Sequence, residues 1–399
     1  MPPNQRDFHV LSSHIDDEDS STRRYRCAVL GCGMMGQEHV SYMAGYADRV
    51  SIDFLCDPHT DSLNKCVKVL REFSSTVKTP MLLQDEEELL QFAHSIDLLV
   101  IATPNYQHAG QLLRWANNDM TILVEKPAAI STAQIDALNV HMNARVWVAM
   151  EYRFMPAIRQ LLELRDVVGD IQMVTIRENR FPFLHKIGAW NRDPQKTGDT
   201  LVEKCCHFFD LMRLITGQEV DLDKIRTMAQ RGINYEHEAL TTDPIIDAAY
   251  VMMKFRKGSE ERVAAMGCLE LCMYADGSRH QEEIVVTGTK GRLEAYLPEN
   301  KVYAFVRPNQ DQWKDRSVPP PRNVVQPTVF DCNKMMDGQD IPSHGGYHYG
   351  STAVEWYRLL NAMDSYKVTG EWEPAVSLTD GIRAVEIGLT ATAEIVNDL

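Results

Sequence analysis

The 399-residue chain has no apolar run long enough to cross a bilayer, no cluster of Lys and Arg, and no paired cysteine clamps. Each absence removes a class of function. A membrane-spanning helix needs about 20 consecutive apolar residues, so no membrane partner is expected. Binding a phosphate backbone needs clustered cations that release counterions, and a formal charge of -15 argues against a nucleic acid. Of the nine cysteines, Cys205 and Cys206 are adjacent, Cys268 and Cys272 lie close, and the others are scattered. That spacing matches no zinc-ligand pattern, and no metal is expected. Residues 1–24 are polar and acidic, with Asp16, Asp17, Glu18 and Asp19, and lack the basic start and apolar run of an export signal. They read as a disordered acidic tail, and the whole chain reads as a cytoplasmic protein with reduced thiols.

What is present is enough apolar material for large cores: 44% hydrophobic and 24% charged residues, in a length that predicts two domains. From Arg26, short apolar runs alternate with helical patterns. Cys27 to Leu30, Ile52 to Leu55, Leu98 to Thr103, Ile122 to Val124 and Val146 to Ala149 read as buried strands. Strands that are apolar throughout and separated by helices predict a doubly wound parallel sheet over 25–150. After Met150 longer alternating segments follow one another, among them Asp170 to Glu178, Asp247 to Phe255, Arg262 to Tyr274, Ile284 to Thr287 and Arg292 to Tyr296. These predict an α+β domain over 151–399 with a large, open, mostly antiparallel sheet. Helices over Thr352 to Met363 and Leu378 to Val396 close the chain.

The clearest motif is Gly31-Cys32-Gly33-Met34-Met35-Gly36, placed between a strand and a helix, with Asp57 about 20 residues beyond. In such a Rossmann turn, the first glycine permits the tight bend, the second lets backbone approach a pyrophosphate, and the third lets helix and strand pack closely. Asp57 would accept hydrogen bonds from an adenosine ribose and repel a 2′-phosphate. This favours NAD over NADP and leaves NADP open. Thr103, Pro104 and Asn105 follow the Leu98 strand at the edge where open α/β sheets place ligands. The next strand ends in Glu125-Lys126-Pro127, which puts Lys126 at the same edge.

These motifs, with His108 and the stretch Gly198 to Asp210, resemble the glucose-fructose oxidoreductase, inositol dehydrogenase and MocA family (Gfo/Idh/MocA) over residues 25 to 399. The resemblance implies an NAD(P)-dependent oxidoreductase that takes a hydride from a sugar or cyclitol hydroxyl. Its lysine acts with an acid and a histidine four positions apart, which here are Lys126, Glu203 and His207. The family usually has Asp where this chain has Glu203, and glycines where it has Asp199 and Cys205. Helical spacing independently puts Glu203, His207 and Asp210 on one stripe opposite Leu201, Cys205, Phe208, Met212 and Ile215.

Hydride transfer requires the hydroxyl to lose its proton. His207 is the expected base, Lys126 the group that stabilises the alkoxide, and Glu203 the residue that tunes His207. Tyr152, Arg153, Trp190, Asp210 and His344 are expected to shape a sugar pocket. Other chemistry in the same family stays open: a dihydrodiol dehydrogenase, a retained-cofactor sugar oxidoreductase or an NAD-dependent glycosidase. A non-catalytic dinucleotide sensor stays open too. The open sheet suggests a homodimer or homotetramer.

Overall fold

The computed structural model describes residues 24–73, 78–142, 144–234, 243–257, 263–308, 315, 317–319, 326–334 and 350–397. The expected acidic tail, apart from Arg24, and His344 lie outside these residues. The first half comprises β1 (Tyr25–Leu30), α1 (Met34–Gly45), β2 (Val50–Cys56), α2 (Thr60–Phe73), β3 (Met81–Leu83), α3 (Glu86–Leu90), β4 (Leu98–Ile101), α4 (Asn105–Trp115), β5 (Thr121–Glu125), α5 (Thr132–His141) and β6 (Arg145–Ala149). Its six strands pair in parallel in the order β3-β2-β1-β4-β5-β6. Because helices cover both faces, interior strands have no solvated side. Every residue of β4 and β5 is buried, which explains their unbroken apolar character. The edge strand β3 is short and two-thirds exposed, so nothing in its pattern announces it.

The second half comprises α6 (Pro156–Leu164), β7 (Ile171–Asn179), α7 (Pro194–Thr197), α8 (Thr200–Glu203), α9 (Cys206–Thr216), β8 (Arg226–Arg231), β9 (Ile246–Lys254), β10 (Met266–Cys272), β11 (Glu282–Gly288), β12 (Gly291–Leu297), β13 (Lys301–Val306), β14 (Thr328–Asp331), α10 (Ser351–Thr369) and α11 (Leu378–Asn397). Its eight strands run β14-β13-β12-β11-β7-β10-β9-β8. All neighbours are antiparallel except β7 and β10, which pair in parallel. Alternate residues of β10, β11 and β12 are buried beneath the helices, while the others face outward. The outer face leaves Met173, Met228, Tyr250, Met252 and Met266 exposed. No helix among the described residues is long and apolar enough to cross a membrane.

The closing helices hold the two halves together. Tyr25 Oη donates to Asp364 at 2.6 Å, the Trp147 indole donates to Glu355 at 3.0 Å, and the Val148 amide donates to the Val376 carbonyl at 3.2 Å. Trp115, Trp147 and Trp356 are fully buried.

Candidate active site

One wall of a cavity of about 730 Å³ is made of backbone. Gly31 turns the chain with φ +95°, and a Cβ there would lie 2.6 Å from the Ala102 carbonyl carbon. A Cβ on Gly36 would lie 2.0 Å from the Gly31 carbonyl oxygen, whereas one on Gly33 would meet nothing within 4 Å. So two glycines are demanded by packing, and the third borders open space where a ligand fits. Gly33 caps α1 without a side-chain hydrogen bond, which leaves the first-turn amides available to an anion. Asp57 follows β2 with its carboxylate fixed by the amides of Cys32 and His59, each at 2.8 Å. Met34, Met35, Thr103, Pro104 and Asn105 also line the cavity. The Asn105 side-chain nitrogen is buried and has no hydrogen-bond partner among the described residues. An open glycine turn, an uncapped helix start, a fixed carboxylate and an unused amide donor fit a dinucleotide.

His108 ties this wall to the next. Its ring nitrogens face the carbonyls of Thr103 and Pro127, each at 2.8 Å, so it clamps the loops after β4 and β5 together. Glu125 is similarly committed. The Trp356 indole donates to His39 Nδ1 at 3.1 Å, which leaves His39 Nε2 to carry the proton it donates to Glu125 at 2.9 Å. Burial raises the Glu125 carboxyl, but His39 and Lys126 outweigh it and bring the group below the usual range.

The opposite wall is made of charged side chains. Lys126 is half-buried and donates to the Glu203 carbonyl at 3.1 Å, bringing together residues 77 positions apart. Burial lowers the Lys126 ammonium, yet Cys206, Glu151, Glu203 and Glu125 hold it above the ordinary lysine value. Burial pushes the Glu203 carboxyl up despite nearby Lys186, Lys126, Arg180 and Arg192. Glu203, Glu151, Lys186 and Trp190 all line the cavity with Lys126. His207 stands behind them, with Nε2 3.5 Å from Glu151 Oε1 and its ring stacked on Tyr152 at 4.3 Å.

Three expected pocket residues point elsewhere. Tyr152 is buried, and its hydroxyl lies 2.5 Å from Lys204 Nζ and 3.2 Å from Glu282. Arg153 grips Asp210 through two contacts of 2.5 Å, and both side chains are in the interior. These groups satisfy one another in the interior. The amphipathic stripe is also corrected. The helix breaks at Lys204 and Cys205 between α8 and α9, and residues on every side of 200–213 are buried. The polar residues of this stretch face the interior, where Asp210 is paired with Arg153.

Glu151, Lys186, His185 and Lys196 border the cavity and were not anticipated. Glu151 had a signal, since it follows β6 at the same carboxyl edge that revealed Lys126. Lys186 sits in an irregular loop and had none. Asp199 explains one departure from the family pattern. It holds the glycine-like φ of +72°, and its carboxylate accepts from the amides of Thr200 and Ile246 at 2.7 and 2.8 Å while pairing with Arg231. Those contacts stabilise a conformation that glycine adopts freely.

Comparison with known proteins follows the same division. A family model described as the oxidoreductase family's NAD-binding Rossmann fold matches residues 25–150, and one described as its C-terminal alpha/beta domain matches 160–396. The rhizopine catabolism protein MocA of Rhizobium meliloti is 27% identical over 207 residues, covering 49% of this chain and 58% of that protein. Inositol 2-dehydrogenase of Rhizobium meliloti (strain 1021) is 26% identical over 201 residues, covering 49% and 56%. The chain therefore spans little more than half the length of these two relatives. Levoglucosan dehydrogenase, solved in complex with NADH, superposes with a TM-score of 0.73 at 16% identity, covering 94% of this chain and 98% of that one, which shows a shared fold. With both family models matched in order along one polypeptide, the chain belongs to the Gfo/Idh/MocA oxidoreductase family, and its Rossmann half is an NAD-binding domain.

Proposed function

We propose that this protein is an NAD-dependent dehydrogenase that oxidises a CH–OH group of a sugar or cyclitol. The observation that carries this reading is the meeting of Lys126 and Glu203 in the same cavity as the glycine turn. Bound NAD would supply the hydride acceptor. The Gly31 to Gly36 turn and the start of α1 would hold its pyrophosphate, Asp57 its adenosine ribose, and Asn105 a polar edge.

Around the substrate, the Lys126 ammonium stabilises negative charge developing on the hydroxyl oxygen. Glu203, whose carboxyl burial raises, borders the same cavity and would hydrogen-bond the sugar. The proton leaves through Glu151, which borders the cavity, toward His207 behind it. His207 thus acts through the Glu151 carboxylate rather than directly on the hydroxyl. Residues 25–150 would bind the cofactor, and 151–399 would supply the substrate wall and the contact between subunits. Exposed Met228, Tyr250, Met252 and Met266 on the open sheet support a homo-oligomer. Nine free thiols, seven of them buried, support a reducing compartment such as the cytoplasm.

The test is nicotinamide reduction by purified protein with NAD and a panel of polyols, aldoses and glycosides, beside Lys126→Met. The expected result is stoichiometric NADH from the wild type and a kcat lowered about 10²-fold or more in the variant, with NADH affinity unchanged. Glycoside cleavage without net NADH, or equal turnover by the variant, overturns the reading.

A further inference from the structure

The cavity's charged wall holds more cation than the proposed chemistry uses. Lys186 is half-buried, its ammonium sits 4.5 Å from the centre of the Trp190 ring, and among the described residues it forms no ion pair. Its loop is a built feature. Residues Gly188 and Ala189 adopt left-handed turns that bring Lys186 and Trp190 side by side. Buried Asn191 and Arg192 then donate back to the carbonyls of Leu184 and Phe183 at 2.8 and 2.7 Å, closing the loop on itself.

Two of the acids in reach are already engaged, Glu125 with His39 and Glu151 with His207, and burial raises the third carboxyl, that of Glu203. Burial is the largest influence on the Lys186 ammonium and lowers it; Glu203 and Glu125 oppose this, Lys126 and Arg180 add to it, and the balance leaves the group below the ordinary lysine value. An ammonium that is partly desolvated, fixed over an aromatic ring and not in an ion pair among the described residues is stabilised by an anion brought with the ligand.

Resting on the dehydrogenase reading, we infer that the substrate is a sugar acid whose carboxylate pairs with Lys186 while its ring lies near Trp190 and its oxidisable hydroxyl meets Lys126. A single ammonium matches the single charge of a carboxylate. A phosphate dianion is better matched by several donors or a bidentate Arg.

The experiment titrates the protein–NADH complex with glucuronate, gluconate, glucose, myo-inositol and a hexose phosphate, following NADH fluorescence, and repeats each with Lys186→Met and Lys186→Arg. The expected result is that the sugar acids bind the wild type roughly 10- to 100-fold more tightly than the neutral sugars. That preference should shrink with added salt, vanish in Lys186→Met and partly survive in Lys186→Arg. NADH affinity, measured alone, reports whether each variant is folded. Neutral sugars binding as well as acids, the phosphate binding best, or a preference retained in Lys186→Met overturns the inference. Oxidation of neutral polyols with indifference to acids would sink it and leave the dehydrogenase standing. Tight, Lys186-dependent binding of acids with no nicotinamide reduction would do the reverse.

Discussion

The two walls of the cavity are built on opposite principles. The glycine wall is made of backbone in close contact, where the tolerance is set by ångströms: a Cβ at Gly36 would sit 2.0 Å from a carbonyl oxygen. The charged wall is made of side chains that reach from distant segments, such as Lys126, Glu151 and Lys186, and it rests on an interior held by pairing, as Arg153 is by Asp210 and His207 by Glu151. Steric fit is local and leaves a fixed spacing in the chain. Charge compensation is tertiary and leaves none. The first wall should therefore fail at single atoms, and the second should fail by stranding a partner.

The largest effect expected on this contrast is at Gly36. Gly36→Val forces the turn apart, and NADH binding, measured by fluorescence titration, should be lost together with at least about 3 kcal/mol of stability. Gly33→Ala sharpens the point, since nothing lies within 4 Å of its Cβ. Its unfolding midpoint should match the wild type while NADH binding weakens. Behind the other wall, Arg153→Met leaves the buried Asp210 carboxylate facing Arg213 at 3.7 Å. Denaturant unfolding should report a loss of about 3–5 kcal/mol, and the double variant Arg153→Met/Asp210→Leu should recover most of it. Equal losses in the single and double variants would break the contrast.

A smaller effect concerns pH. Burial pushes the Glu282 carboxyl up to about 8, with Glu178 adding to the rise and Lys204 and Tyr152 opposing it. In the unfolded chain this proton leaves near 4.5. Between those values the folded state binds one proton more, so stability falls as pH rises, by up to about 1.4 kcal/mol per unit. Lys204, lowered by its own burial, contributes with the opposite sign toward alkaline pH. Glu282→Gln should flatten the slope between pH 5 and 7, and an unchanged slope would remove Glu282 as its source. The smallest effect is at Asp57. Asp57→Asn removes a charge that opposes a 2′-phosphate, and the ratio of NADPH to NADH affinity should rise roughly tenfold, ~1.4 kcal/mol.

The same division explains what the sequence made legible. The parallel sheet was readable because buried strands such as Leu98–Ile101 are apolar at every position, and the cofactor wall because glycines and Asp57 recur at spacings that backbone geometry demands. Lys126 was readable from its strand end. The edge strands β3 and β8 were not, because β3 is only three residues long and β8 is largely polar and exposed. Tyr152, Arg153 and Asp210, expected from sequence as ligand contacts, are instead found against partners in the interior, and a charge buried against a partner and a charge facing a ligand look alike in one dimension. Lys186 was invisible because its position depends on a loop closed by side-chain bonds to carbonyls.

The grip of the C-terminal helices on the first sheet sets the order in which this protein can be born. By the time Ala149 leaves the ribosome, every strand of the cofactor half has been made. Yet the Trp147 indole must wait 208 residues for Glu355 and Tyr25 339 residues for Asp364. A nascent chain thus exposes an unfinished flank of its Rossmann half through most of translation, and chaperones have that interval in which to act. A truncation that removes only α10 and α11 would leave the residues around the cavity largely present in sequence but strip the support beneath β6, from which Glu151 enters the site.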